Sequence, residues 1–272
     1  MYKEQMSDIF SKHTEPDDIF LPLSAKRYAE FYSLEMNTFS DDITFYQTHC
    51  QKHSSILELG CGSGRISQAL ASAGYSVTGI DLCPHMLRVA NTSLDKPSPW
   101  YICMNMTDMA FSREFSNILI PYNTLNLLRE TNTIQTALQQ ARCFLKPKGT
   151  LLLQLHIPDS ELIAMKGKKR FQFQMIPLQN ADGRIIKETL RSYNNTTQEI
   201  CLEERYRVRP ATNTALQKNY RHTLTLAGFS VEQWLEILKK NGFQKCSLFG
   251  DYNSRPYRTE TDATLLIKAS PS

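Results

Sequence analysis

From about Asp41 onward, short apolar or β-branched runs alternate with stretches whose apolar residues recur every three to four positions. That alternation is the mark of βαβ units built on a largely parallel sheet. SSILEL (Ser54 to Leu59) reads as a first core strand and SGRISQALASAG (Ser63 to Gly74) as the helix after it. YSVTGI (Tyr75 to Ile80) is a second strand ending at Asp81, and Pro84 opens a helix with Met86, Leu87 and Ala90 on one face. WYICM (Trp100 to Met104) and SNILI (Ser116 to Ile120) follow as strands, and Thr133 to Leu145 as an amphipathic helix. A turn at Pro147 and Gly149 then feeds TLLLQLHI (Thr150 to Ile157), apolar enough for the sheet centre.

Beyond this strand the period changes. RFQFQMI, RIIKETLRSY, QEICLEERYRV and NYRHTLTL alternate apolar and polar residues, predicting an antiparallel layer between about Lys169 and Leu226. Ser230 caps a helix, VEQWLEILKKNG, that ends at Gly242, and FQKCSLFG and ATLLIKAS close the chain as strands. Upstream, Ser24 to Met36 forms a helix rich in aromatics (Tyr28, Phe31, Tyr32) with no place in a minimal sheet sandwich. The expected architecture is one α/β domain with a seven-stranded, mostly parallel sheet and helices on both faces. Its core spans about 41–157 and 229–272, with an antiparallel insertion or lid over about 158–228 and an N-terminal helical extension over about 1–40.

At 272 residues and 41% hydrophobic composition the chain can bury such a core unaided. No run approaches the roughly 20 apolar residues that cross a bilayer, and MYKEQMSDIF lacks a signal-peptide apolar segment, so a cytoplasmic protein without membrane contact is expected. Seven scattered cysteines without a CxxC pair read as reduced thiols. His49 and His53, at helical i, i+4 spacing beside Cys50, show no fourth ligand, and no metal is expected there. The net charge of +4 has its densest patch in KGKKR (Lys166 to Arg170), which reads as a solvated loop.

The chemistry concentrates in LELGCGSGR (Leu57 to Arg65), between a strand and a helix. Glycines at 60, 62 and 64 permit a sharp turn and let a ligand approach bare backbone, while Glu58 is expected to brace the loop by accepting backbone N–H bonds. Asp81, 17 positions after Gly64, ends the next strand, where a carboxylate can accept both hydroxyls of a ribose. The dinucleotide pattern GxGxxG is not met: the third glycine comes one residue early and Arg65 fills the glycine's place. A phosphate-binding GxxxxGK[ST] is absent too.

In these residues the chain resembles the class I S-adenosylmethionine-dependent methyltransferases, specifically their small-molecule branch. Ile56 to Ala90 looks like that family's first two motifs, and the likeness extends to DDITFY (Asp41 to Tyr46), IPYNTLNLL (Ile120 to Leu128) and GFQKCSLFGDYNSRPY (Gly242 to Tyr257). The resemblance implies a Rossmann-like fold and S-adenosylmethionine as cofactor, with no metal. By position, Gly60, Cys61, Gly62 and Arg65 would line the methionine end, Asp81 would hold the ribose, and Leu82 and Met86 would pack on adenine or ribose. Pro121 would border the cofactor. Where the family commonly has an acid followed by an apolar residue, Asn105 and Met106 stand, and Asp108 is the alternative contact to adenine.

Since a sulfonium is already a strong electrophile, the protein's task would be to align an acceptor and exclude water. Candidates at the carboxyl edge of the sheet are His156 as general base, or as a packed histidine instead, together with Tyr122 and Asn123. Tyr28 and Tyr32, with Arg221 and His222 from the insertion, would roof the pocket. The expected reaction is methyl transfer to N or O of a small-molecule acceptor by a monomer or homodimer. An RNA methyltransferase, with nucleic acid an unlikely partner, and a non-catalytic S-adenosylmethionine-binding protein are the alternatives.

Overall fold

The computed structural model describes residues 19–92, 97–178, 183–210 and 218–271. The segment MYKEQMSDIF and half of the expected N-terminal extension lie outside the described residues.

The chain opens with β1 (Phe20–Pro22), α1 (Ala25–Met36) and α2 (Asp41–His49). The core follows: β2 (Ser55–Leu59), α3 (Arg65–Ser72), β3 (Ser76–Asp81), α4 (Pro84–Thr92), β4 (Trp100–Cys103) and β5 (Phe115–Ile120). A 3-10 turn (Thr124–Leu128), α5 (Thr131–Phe144) and β6 (Leu145–His156) complete its parallel part. After α6 (Ser160–Ala164) come β7 (Arg170–Pro177), β8 (Gly183–Asn194), β9 (Glu199–Pro210) and β10 (Lys218–Ala227), then α7 (Val231–Lys240), β11 (Phe243–Phe249) and β12 (Thr264–Pro271).

Two sheets result. The larger has seven strands in the order β11-β12-β6-β5-β2-β3-β4, all running one way except β12, which pairs antiparallel with both β6 and β11. β5 is buried along its length and β2 along all but Ser55, as strands covered on both faces must be. The order reverses at β2, whose neighbours are β3 and β5, so a crevice opens at the carboxyl ends of these strands. The core on one face gathers Leu57, Ile118, Leu138, Leu153 and the fully buried Trp234 of α7. A capping box holds α7 in place: Ser230 Oγ accepts from the Gln233 N–H, and Gln233 Oε1 accepts from the Ser230 N–H at 2.8 Å.

The expected turn at Pro147 and Gly149 is instead a bulge within β6. Leu145 pairs with Phe115, pairing resumes at Thr150 with Asn117, and Lys146, Pro147 and Lys148 are pushed outward into solvent.

The smaller sheet has the order β1-β10-β9-β8-β7. The antiparallel layer anticipated over 169–226 forms its four long strands, and β1, from the N-terminal segment, adds a parallel fifth. α1 lies between the sheets. Phe31 packs on Tyr206 and Tyr220 with ring centroids 5.2 and 5.9 Å apart. Asn126 staples the two layers: its amide donates to the carbonyls of His156 (3.0 Å) and Ala227 (2.7 Å), and its carbonyl accepts from the His156 N–H. Among the described residues no helix is long and apolar enough to cross a membrane.

His53 leaves the helix that the i, i+4 spacing suggested. α2 ends at His49, and His53 sits in a following turn with φ of 56°, its ring near the Gly74 carbonyl. Lys169 and Arg170 of the basic patch pair with Glu203 and Asp159, while Lys166 and Lys168 are exposed.

Candidate active site

A cavity of about 690 Å³ opens at the reversal point, within the range of roughly 300–1,000 Å³ typical of small-molecule sites. Its floor is the turn after β2, one side is α1, and its roof is the inner face of the smaller sheet.

The floor turn exists because its residues tolerate a left-handed backbone. Gly60 has φ of +71°, and a Cβ there would lie 2.3 Å from Thr124 Cγ2. Gly62, at φ +55°, borders the cavity, and a Cβ would point to within 3.6 Å of the Tyr32 ring. The N–H groups of Gly60 and Cys61 donate to the Ile80 carbonyl at 2.8 and 2.9 Å. The Gly62 N–H donates to Asp81 Oδ2 at 2.9 Å, and the Cys83 N–H to Asp81 Oδ1 at 2.7 Å. One carboxylate thus ties the β2 turn to the start of the segment after β3. Burial raises its pKa, and these two backbone bonds oppose the rise. Each oxygen keeps a further lone pair, and Asp81 lines the cavity.

Glu58 does not brace the loop through backbone N–H groups as expected. It is buried and accepts from the Ser67 hydroxyl of α3, and burial pushes its pKa up to about 7. Arg65 is turned away from the cavity. Its guanidinium forms a bidentate pair with the fully buried Asp42 (2.7 and 2.6 Å), donates to the Phe39 carbonyl and lies over the Phe39 ring. The side chain therefore clamps α3 to α2. Cys61 is buried against Gly79, its thiol pKa raised by burial, and it does not border the cavity.

Met86 and Cys83 line the cavity; Leu82 is 67% exposed beside it. Asn105 and Asp108 are both exposed, and Asn105 Oδ1 accepts from the Thr107 N–H, while Met106 packs on the core. Pro121 is buried, and its carbonyl accepts from the Thr124 N–H and hydroxyl. Tyr122 and Asn123, which follow it, have φ of 49° and 63°, a strained backbone of the kind that gathers at binding sites. Both line the cavity, and the Asn123 side-chain oxygen is buried without a partner among the described residues.

The wall facing the turn is aromatic. His222 stacks on Tyr28 (4.7 Å between centroids), Tyr28 neighbours Tyr32 (6.2 Å), and Tyr32 meets Tyr122 edge-on (6.2 Å). Burial raises the phenol pKa of all three tyrosines and lowers that of His222, so each is neutral near pH 7. Arg221 points the opposite way from His222 and is exposed, because successive strand residues face opposite sides of a sheet. His156 is buried but does not line the cavity. Its Nε2 lacks a hydrogen-bond partner among the described residues, and burial, reinforced by Arg191, pushes its pKa down to about 4. The cavity imidazole is His222.

The roof carries residues to which sequence reasoning gave no role. Gln172, Thr189, Glu204 and His222 form one cross-strand row on the cavity face, with Gln174 and Lys187 in the row beside it. Lys187 Nζ donates to Glu35 of α1 at 2.8 Å and lies 2.7 Å from Glu204, whose other oxygen accepts from the Tyr206 hydroxyl. Alternation in the sequence signalled which of these residues share a face. It carried no sign that this face would close a cavity.

Residues 56–149 match the family model described as a methyltransferase domain. A putative methyltransferase of Bacillus subtilis, YqeM, is 26% identical to this chain over 80% of its length and 84% of its own. Among solved structures, an S-adenosylmethionine-dependent methyltransferase from Clostridium acetobutylicum superposes with a TM-score of 0.73 at 12% identity, covering 90% of this chain and 98% of that one. A sugar N-methyltransferase from Streptoalloteichus superposes at 0.72 and 14% identity, covering 96% and 99%. The family match covers the strand, glycine turn and Asp81 described above, so residues 56–149 are similar to a methyltransferase domain, and the chain as a whole shares the fold of the S-adenosylmethionine-dependent methyltransferase from Clostridium acetobutylicum.

Proposed function

We propose that this enzyme methylates nitrogen or oxygen of a small-molecule acceptor enclosed between the two sheets. The observation that carries the reading is a cavity with bare glycine backbone and a carboxylate on its floor and polar side chains on its roof. Such a roof leaves room for a compact acceptor. Structural neighbours described as sugar and glycopeptide N-methyltransferases are in keeping with it.

The residues present fit the cofactor. Asp81 would accept both ribose hydroxyls on its remaining lone pairs, Gly60 and Gly62 would border the methionine end, and Leu82 and Met86 would pack against the nucleoside. When bound, S-adenosylmethionine supplies an electrophilic sulfonium methyl carbon. Tyr28, Tyr32 and Tyr122 would orient the acceptor by hydrogen bonds from neutral hydroxyls and keep water from the reacting atoms. An acceptor that arrives protonated would lose its proton to a ring nitrogen of His222, which burial keeps unprotonated near neutral pH.

The test is calorimetry with S-adenosylhomocysteine on the wild type and Asp81→Asn. The substitution places an amide N–H₂ against a backbone donor and removes the charge, so at about 1.5–3 kcal/mol per charge-assisted bond the affinity falls by at least about a hundredfold. Affinity preserved within threefold would refute the ribose assignment.

A further inference from the structure

Arg170, Lys187 and Arg191, on β7 and β8, lie in phase on the inner face of the smaller sheet. Two are neutralised inside the protein. Arg170 donates to both oxygens of Asp159 (2.9 and 2.6 Å), and Lys187 bridges Glu35 and Glu204. Arg191 is the exception. It lines the cavity, its Nε is buried without a partner, and it makes no ion pair or hydrogen bond among the described residues.

An unpaired guanidinium in a partly dry wall is costly to bury unless a ligand compensates it. Leucines fill the rest of its row on β9 and β10, Leu202 and Leu224, so those positions offer the guanidinium no side-chain oxygen. Burial disfavours the Arg191 cation most and Arg170 works against it next, while Asp159, whose charge favours it, gives both oxygens to Arg170. The planar fork of arginine is suited to two oxygens of one oxyacid group. The Tyr122–Asn123 turn and the floor glycines Gly60 and Gly62 line the same cavity, so an anion seated on Arg191 shares it with the glycine turn.

We infer that the methyl acceptor carries an anionic oxyacid group, carboxylate or phosphate, and that Arg191 receives it. The inference rests on the proposed function and adds the class of substrate. Lys187, held by two carboxylates, contributes no free positive charge, so Arg191 alone sets the preference.

The experiment titrates matched probes into protein saturated with S-adenosylhomocysteine and follows heat and thermal shift. The pairs are glucosamine 6-phosphate with glucosamine, and benzoate with benzyl alcohol; inorganic phosphate is added alone. Anionic members are expected to bind at millimolar concentration and neutral ones not, the phosphate and benzoate arms separating the two oxyacids. In Arg191→Gln the anion affinity drops by about tenfold or more. Its affinity for S-adenosylhomocysteine stays within twofold, and its melting temperature stays level or rises because an unpaired charge has gone. Equal binding of neutral and anionic members, anion binding that survives in the variant, or no anion binding at all would overturn the inference. Loss of S-adenosylhomocysteine binding in the variant, with 5′-methylthioadenosine still bound, would assign Arg191 to the cofactor carboxylate and overturn it too. Failure of the wild type to bind S-adenosylhomocysteine would instead strike the cofactor reading.

Discussion

Two buried titratable groups flank the site, and their pH dependences should run in opposite directions. Glu58, behind the glycine turn, has its pKa raised from 4.5 to about 7 by burial, against the opposing Ser67 hydroxyl and Arg65. His156, at the end of β6, is lowered from 6.5 to about 4 by burial and the Arg191 charge. At about 1.4 kcal/mol per pH unit, each displacement corresponds to about 3 kcal/mol of folding stability. A carboxyl raised in the folded state contributes stability fully present below 4.5 and lost as pH climbs through about 7. A histidine lowered in the folded state contributes stability present above 6.5 and lost as pH falls through about 4. Over the shared window the two slopes offset each other, so the pair together contributes little net pH dependence to the wild type.

Substitution unmasks them. Urea unfolding of the wild type, Glu58→Gln and His156→Gln at several pH values across that window gives difference curves from which all other groups cancel. The wild-type advantage over Glu58→Gln should shrink by about 3 kcal/mol between pH 4.5 and 7, while its advantage over His156→Gln should grow by about 3 kcal/mol between pH 4 and 6.5. Level difference curves, or slopes of the reverse sign, would show that neither group is held in the unfavourable surroundings described.

Arg65→Met leaves Asp42 fully buried without its bidentate partner and should destabilise the fold by about 3–5 kcal/mol in chemical denaturation; a loss below about 1 kcal/mol would mean the pair is not desolvated. Trp234→Ala empties the centre of the main core and should cost about 3–5 kcal/mol, lowering the urea midpoint with an unchanged slope.

Much of this molecule was legible locally. The alternation of strand and helix periods, the glycine turn and the acid at the tip of the next strand are all properties of short segments. Because β2 and β3 are adjacent and parallel, their carboxyl ends must meet at one edge, so Leu57 to Arg65 and Asp81 could be brought together without knowing the rest. The phase of the four long antiparallel strands likewise separated two faces, with His222 on one and Arg221 on the other. Tertiary structure decided which partners those faces met. That β1 would extend the smaller sheet, that Asp42 would take Arg65 out of the pocket, and that His222 rather than His156 would border the cavity depended on packing between segments far apart in the chain. Periodicity states which side chains share a surface. What covers that surface, and hence which charges are neutralised and which, like Arg191, are left for a ligand, is settled by non-local burial, for which a single strand carries no signal.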